Sequence, residues 1–253
     1  MIYFVGAGSG AVDLITVRGA NLLRKADVII YAGSLVNPEL ISEYAKVDCE
    51  ICDSAAMTLQ EISAKMLDAD SRDLLVVRLH SGDPAIFGAI NEQMRILRDK
   101  NVAFEIVPGV SSFCAAAASL QVEYTIPDLT QSLIISRHSG RTPVPERESL
   151  RFLASHGCSM AIFLSAGMLR EVCAEIIAAG NSPETPAALA YKISWRDERV
   201  ISGNLRTLPE LVESSGIAKT GIILVGKFLD GKNFANKSRL YDANFSHEFR
   251  VKI

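Results

Sequence analysis

The chain has 253 residues, of which 49 % are hydrophobic and 22 % are charged, and its formal net charge is −3. This composition is typical of a globular enzyme with a sizeable core, and the lack of a basic field argues against a nucleic-acid partner. No apolar run approaches the ~18 residues of a membrane span, and the N-terminus lacks the basic region of a signal peptide, so we expect no membrane partner. The five scattered cysteines are typical of reduced thiols in a cytoplasmic protein.

Strands and helices alternate along the first half of the chain. Short apolar runs predict buried strands, and apolar residues at helical spacing predict helices. The predicted strands lie at 2–5, 27–31, 73–77 and 103–107, and the predicted helices at 14–25, 59–67, 89–100 and 113–120. This βαβ rhythm is typical of a mostly parallel sheet.

The alternation breaks near residues 121–130, where Pro127 stands among polar residues, and this break predicts a domain boundary. Beyond it, the predicted strands lie at 132–136, 160–164, 187–191, 199–202 and 221–225, and the predicted helices at 146–155, 168–179 and 208–214. No helix separates the third and fourth of these strands, which predicts a hairpin and a mixed sheet. We therefore predict an α/β fold with two α/β domains, at 1–120 and 121–230, followed by a C-terminal tail at 231–253.

The loop at 78–88, which has the sequence RLHSGDPAIFG and which we call the central loop, follows a predicted strand and leads into a predicted helix. In open α/β sheets, ligands bind outside the carboxyl ends of the strands. Gly82 removes a side chain and Pro84 fixes φ, which leaves backbone groups free to face a ligand. An ordinary βα connection is the alternative interpretation.

Two other patterns raise different chemistries. The sequence GAGSGA at 6–11 satisfies the dinucleotide fingerprint G-x-G-x-x-A, so a nicotinamide-dependent oxidoreductase is one hypothesis for the function. That fingerprint expects an acidic residue at the end of the second strand, where this chain has YAG at 31–33. The histidines are dispersed and the C-x-x-C pair of Cys49 and Cys52 lacks a second pair, so no metal site is predicted. His80, beside the central loop, is either structural or catalytic.

Two basic stretches, RHSGRTPVP at 137–145 and SWR at 194–196, place arginines beside rigid turns and an aromatic residue. Arginine grips carboxylates with two parallel hydrogen bonds, so Arg137, Arg141 and Arg196 are candidates for holding a polycarboxylate ligand. Exposed loop charge is the alternative.

Three motifs, GAGSG at 6–10, GDPAIFG at 82–88 and VPGVSS at 107–112, together resemble the tetrapyrrole methylase family. Longer runs, YAGSLVNPEL, RLHSGDPAIFGAI, VPGVSSFCAAAA and SRHSGRTPVPERE, resemble the branch of the family that methylates carbon 11 of precorrin-4 in cobalamin synthesis. The resemblance implies two α/β domains with a cofactor trough between them, S-adenosylmethionine as the cofactor, a small-molecule tetrapyrrole substrate and a homodimer.

The resemblance also implies roles for particular residues. His80 and Asp83 are the candidates, by position, for a base. The family commonly reads GAGPGD at the first glycine turn, and Ser9 and Ala11 depart from that pattern. Methylation at another ring position, an oxidoreductase and a non-catalytic tetrapyrrole carrier remain alternatives. The implied cofactor-binding positions are Ser9, Ser81, Gly82, Asp83, Ile86, Ser111, Ser112, Ser165, Ala188 and Tyr191.

Overall fold

The structure, a computed structural model, describes residues 1–233, 238, 245, 246 and 248. Most of the predicted tail at 231–253 therefore lies outside the described residues. The chain divides into two compact units: the first contains Met1–Ala115 and Lys192–Glu198, and the second contains Ala116–Tyr191 and the described residues from Arg199 onward. The two domains and the C-terminal tail that the sequence predicts, with boundaries at residues 120 and 230, remain a prediction.

The first unit contains a parallel sheet, as predicted. Its strands are β1 (Ile2–Gly6), β2 (Val28–Tyr31), β3 (Glu50–Asp53), β4 (Val76–His80) and β5 (Phe104–Val107). They lie in the order β3-β2-β4-β1-β5, and every neighbouring pair is parallel. The helices that follow these strands are α1 (Val17–Lys25), α2 (Glu39–Tyr44), α3 (Leu59–Ser71), α4 (Asn91–Asp99) and α5 (Ser112–Leu120).

Helices cover both faces of this sheet. On one face, Val5 of β1 belongs to the same buried cluster as Leu23 of α1. On the other face, Phe4 of β1 packs in a cluster with Met66 of α3 and Leu97 of α4. A parallel strand that is buried on both faces needs apolar residues at nearly every position, which is the pattern of β1 and β2.

The local sequence explains where the helices begin and end. Helix α3 starts with a capping box, in which the Thr58 side chain accepts from the Glu61 N–H and the Glu61 carboxylate accepts from the Thr58 N–H. Helix α8 (Leu208–Ser215) carries Pro209 in its first turn, where no N–H is needed. It ends at Gly216, whose φ of 73° closes the helix in the left-handed conformation.

The second unit contains a mixed sheet, which confirms the prediction. Its strands are β6 (Leu133–Arg137), β7 (Ser159–Phe163), β8 (Pro186–Tyr191), β9 (Arg199–Asn204) and β10 (Gly221–Val225), in the order β6-β7-β10-β8-β9. The β6–β7 pair is parallel and the others are antiparallel, including the predicted β8–β9 hairpin. Helices α6 (Leu150–Ala154), α7 (Leu169–Ala178) and α8 pack on this sheet around one apolar cluster.

The structure differs from the predicted elements at four places. Strand β4 continues to His80, so the first three residues of the predicted loop at 78–88 belong to the strand. The predicted helix at 146–155 breaks at Ser149, whose extended backbone separates a 3-10 turn at Glu146–Glu148 from α6 and whose side chain caps α6. The strand β3 and the short helix α2 were not predicted. No helix in the described part of the chain is long and apolar enough to cross a membrane.

Candidate functional site

Three glycine-bearing loops meet at the carboxyl edge of the first sheet. Gly6 ends β1, while Gly82 and Gly109 follow the neighbouring strands β4 and β5. A Cβ atom at Gly6 would lie 2.6 Å from Gly109 Cα and 2.6 Å from Gly82 O, and one at Gly109 would overlap Gly82 O. Only glycine allows this approach, so the edge is built from main-chain atoms.

The central loop is paired with the first glycine turn on one side and faces the VPGVSS turn on the other. Gly8 N donates to Gly82 O at 3.3 Å, and Gly82 N donates to Gly8 O at 2.8 Å. Gly82 has a φ of 65°, and a Cβ atom there would lie 3.5 Å from Ser111 Cα and 3.9 Å from Ser111 Oγ. The fold thus brings together Gly82 and Ser111, two of the positions that the sequence proposed for a cofactor.

Asp83 joins the central loop to the loop after β5. Its Oδ1 accepts from Ala85 N at 2.8 Å and its Oδ2 accepts from Gly109 N at 2.9 Å. Both carboxylate oxygens are therefore used by backbone N–H groups, and such charge-assisted bonds are stronger than neutral ones. The geometry gives Asp83 the task of fixing two loops, which is compatible with its proposed place beside the cofactor. Its proposed action as a base remains a prediction.

The rest of the central loop contains backbone strain that sequence reasoning missed. Ser81 is exposed, whereas Ile86 and Ser112 are half-buried. Phe87 and Ala89 have φ values of 53° and 50°, which L-residues seldom adopt. Strained residues of this kind cluster at binding sites, because only a surrounding structure that over-determines them maintains them.

His80 occupies the apolar layer on one face of the sheet. Its ring centroid lies 6.0 Å from that of Phe4, and within the described residues its buried Nε2 has no hydrogen-bond partner. Burial, reinforced by the nearby charge of Arg78, lowers the pKa of His80 to about 3. An imidazole with such a low proton affinity is a weak base. These observations favour the structural interpretation of His80 over the catalytic one.

In the second unit, Ser165 lies where β6 and β7 end side by side. Its Oγ accepts from His138 N at 2.8 Å and donates to Phe163 O at 2.7 Å, and the residue is fully buried. The preceding Leu164 has a φ of 54° and is 68 % exposed. An exposed apolar side chain on a strained backbone is a feature that the sequence did not reveal.

The other two proposed positions of the second unit, Ala188 and Tyr191, lie in β8. Ala188 is 1 % exposed, and the ring centroid of the half-buried Tyr191 is 5.1 Å from Arg199 Cζ. Because side chains alternate along a strand, residues three apart point to opposite faces of the sheet. The two side chains therefore do not form one patch.

The three proposed carboxylate-binding arginines differ in their surroundings. Arg137 donates from Nη1 to Thr142 O at 2.9 Å and from Nη2 to the next carbonyl at 2.8 Å, so its guanidinium is used to fold its own loop. Arg141 lies in the exposed part of that loop. The side chain of Arg196 is 85 % exposed, with Nη2 3.2 Å from Glu39 Oε1. Arg141 and Arg196 present charge to solvent, whereas the half-buried Arg137 binds carbonyls of its own loop, and its proposed contact with a carboxylate stays a prediction.

Ser9 and the C-x-x-C pair also have defined positions. Ser9 is 7 % exposed, and its Oγ lies 2.8 Å from Ser194 Oγ, so its side chain faces another segment of the chain.

Cys49 and Cys52 pack on opposite faces of the sheet, and burial raises the pKa of both thiols. Across the described ranges, no group of three or more His, Cys, Asp or Glu residues could hold a metal ion.

Comparison with known proteins gives the family. The family model described as Tetrapyrrole (Corrin/Porphyrin) Methylases matches residues 1–209. The chain belongs to the tetrapyrrole methylase family. Among the relatives of this methylase is a cobalt-precorrin-4 C(11)-methyltransferase of Methanocaldococcus jannaschii, 50 % identical over 98 % of this chain and 95 % of the relative. A precorrin-4 C(11)-methyltransferase of Sinorhizobium sp is 41 % identical over 98 % of both chains.

Solved structures agree with this assignment. A cobalt precorrin-4 methyltransferase of cobalamin biosynthesis is 47 % identical, has a TM-score of 0.88, and is matched over 90 % of the methylase and 95 % of that chain. A uroporphyrin-III C-methyltransferase from Thermus thermophilus, crystallised with S-adenosylhomocysteine, has a TM-score of 0.77 over 91 % of the methylase and 99 % of that chain. At 24 % identity, the latter shows a shared fold.

The residues of the methylase fit the cofactor that its family implies. A Cβ atom at Gly82 would lie in ordinary contact with Ser111, so the glycine lets the two loops face each other with no side chain between them. The loops around it are fixed by the Gly8–Gly82 pair and by Asp83, which gives a rigid main-chain edge. Such an edge suits the polar end of a nucleoside–amino-acid conjugate.

Proposed function

We propose that this chain transfers a methyl group from S-adenosylmethionine to carbon 11 of cobalt-precorrin-4 in cobalamin biosynthesis. The observation that carries the proposal is similarity over the full length to two cobalt-precorrin-4 C(11)-methyltransferases, which are 50 % and 47 % identical. Relatives named precorrin-4 C(11)-methyltransferase, without cobalt in the name, are between 38 % and 42 % identical. This difference favours a substrate that already carries cobalt.

The arrangement of the first unit supports a mechanism based on alignment. When bound, S-adenosylmethionine supplies a methyl group on a sulfonium that is already activated for in-line displacement. The main-chain groups near Gly82 and Ser111 orient the donor, and Asp83 keeps the loops that carry them in place. Holding two reactants in near-attack geometry can remove ~7–11 kcal/mol of the barrier. The proposed contacts of Ser81, Ile86 and Ser112 extend the same edge.

Contacts to the tetrapyrrole are assigned to the exposed arginines. Arg141 and Arg196 bind substrate carboxylates, because a guanidinium matches the geometry of a carboxylate and both side chains are accessible. Arg137 contributes by folding the loop that presents Arg141. Ser165, Ala188 and Tyr191 remain proposed cofactor positions in the second unit. We further propose that the enzyme is cytoplasmic and forms a homodimer, and light scattering of the purified protein tests the dimer.

A product analysis tests the activity. The enzyme is incubated with S-adenosylmethionine carrying a ¹³C-labelled methyl group and with either precorrin-4 or cobalt-precorrin-4. We expect a product that is one methyl group heavier, with the label bonded to carbon 11 in its NMR spectrum, and faster turnover of the cobalt form. Label at another ring carbon contradicts the assigned position, and faster turnover of the metal-free ring contradicts the assigned substrate. If no label enters either ring, the proposed methyl transfer is wrong and the carrier alternative remains.

A further inference from the structure

The segment Lys192–Glu198, which we call the strap, connects β8 to β9 and belongs to the first unit. It contains Trp195, the single tryptophan of the chain. Trp195 Nε1 donates to Ser9 O at 3.1 Å. Ser194 Oγ lies 2.8 Å from Ser9 Oγ and accepts from Ala11 N at 3.1 Å. The strap therefore uses three polar groups of the first glycine turn.

The indole of Trp195 also lies directly on Gly10. A Cβ atom at Gly10 would overlap the indole Cδ1 and lie 2.5 Å from Nε1, so only glycine permits this contact. Gly10 O accepts in turn from Asn37 Nδ2 at 2.9 Å. The turn has no proline to fix φ, and hydrogen bonds from outside the turn supply the missing restraint.

The strap itself is held in a strained conformation. Lys192 and Ser194 have φ values of 43° and 64°. Ser194 N donates to Glu198 Oε2 at 2.6 Å, and Lys192 Nζ lies 2.6 Å from Asp197 Oδ2 and 5.4 Å from the centroid of the Trp195 ring. Strain of this kind is maintained where the surrounding contacts fix the conformation and the conformation has a task.

We propose that Trp195 and Ser194 are positioning residues for the methyl donor. They fix the first glycine turn at Ser9, and the adjacent Gly8 pairs with Gly82, the centre of the proposed donor site. The effect reaches the donor through two backbone hydrogen bonds rather than by direct contact. This inference rests on the proposed function, because it concerns the donor site of that reaction.

The test uses two conservative variants, Trp195→Phe, which keeps an aromatic ring without the N–H, and Ser194→Ala, which removes the hydroxyl. Amide hydrogen exchange followed by NMR should be about five- to tenfold faster at Gly8 and Gly82, the effect of losing one net hydrogen bond. The amide of Val102, which donates to Leu97 O at 2.9 Å away from the turn, is the internal control and should not change. Unchanged exchange at Gly8 and Gly82 overturns the proposal, whether or not the protein binds a donor.

Kinetics then separate positioning from a general loss of structure. KM for S-adenosylmethionine should rise about tenfold with little change in kcat at a saturating donor concentration, because the strap orders the donor site before binding. The fluorescence of Trp195 in the unchanged enzyme should shift when S-adenosylhomocysteine is added. Equal KM values in the variants overturn the link to the donor, and equal losses of kcat at all donor concentrations indicate damage elsewhere. Failure of the unchanged enzyme to bind S-adenosylhomocysteine contradicts the proposed function, while the exchange rates still decide whether the strap fixes the turn.

Discussion

Replacing Gly82 with alanine separates the cost of folding from the cost of binding. Gly82 has a φ of 65°, and the new Cβ atom would meet Ser111 Cα at an ordinary contact distance of 3.5 Å. The fold can therefore accept the methyl group at the price of the left-handed conformation, which is ~1–2 kcal/mol for an L-residue. For a chain of this length that penalty lowers Tm by about 2–8 °C. Because the methyl group points into the space proposed for the donor, affinity should fall as well.

Gly157→Ala is the matched control. Gly157 has nearly the same φ, 64°, and no described atom lies within 4 Å of a Cβ atom built there. Both variants should lose similar thermal stability, measured by scanning calorimetry. Only Gly82→Ala should weaken the binding of S-adenosylhomocysteine, by about tenfold or ~1.4 kcal/mol in titration calorimetry. If Gly82→Ala binds as tightly as the unchanged enzyme while its Tm falls, Gly82 does not face the donor and the proposed site is wrong.

Three further substitutions test the other assignments. Asp83→Asn places an amide NH2 against one of two N–H donors, so urea denaturation should show a loss of ~1–3 kcal/mol; a loss of activity at full stability would instead support a base. Arg137→Lys should make its loop more sensitive to trypsin, whereas Arg141→Lys should raise KM for the tetrapyrrole without that sensitivity; the reverse pattern refutes both roles. Since burial lowers the pKa of His80 to about 3 from 6.5, the unfolded chain binds a proton that the folded chain refuses between those values. The free energy of unfolding should therefore decrease as the pH is lowered through this window, and the loss at pH 4 relative to neutral pH should be ~3 kcal/mol. His80→Leu should remove this part of the pH dependence with methyl transfer retained, and a pH profile like that of the unchanged enzyme would show that the imidazole is not buried as described.

The sequence predicts strands well where burial on both faces requires a continuous run of apolar residues. The apolar runs of β1 and β10 are obvious because both faces of each strand are buried, whereas β4 continues through Arg78 and His80, three residues beyond the predicted strand. The strand β3 was missed because it lies at the edge of its sheet and is largely exposed, so its residues lack an apolar run. The helix α2 has six residues, which is too short for a 3.6-residue period to show.

The candidate site was predictable only where its chemistry belongs to the backbone. The loop of Gly82 could be named because glycine-rich turns after strands are local features of the sequence, and Ser111 because its turn resembles a motif of the family. The contact of Trp195 with Ser9 joins residues 186 positions apart, and no local pattern carries that information. The charge of Arg137 was visible, but its partners are carbonyls, which every residue has.

The proposed methyl transfer explains why the sequence shows the candidate site through its glycine turns and not through acid–base residues. An activated methyl donor needs alignment rather than proton transfer, so the residues that matter are those that fix the loops. Asp83 and Trp195 both use their polar groups to bind backbone atoms, and in the sequence they are only an ordinary carboxylate and an ordinary aromatic residue. Glycine is the exception, because the fold can bring Gly6, Gly82 and Gly109 into contact only if all three lack a side chain. For an enzyme of this kind, the glycines of the sequence therefore report the position of the site more directly than its titratable residues do.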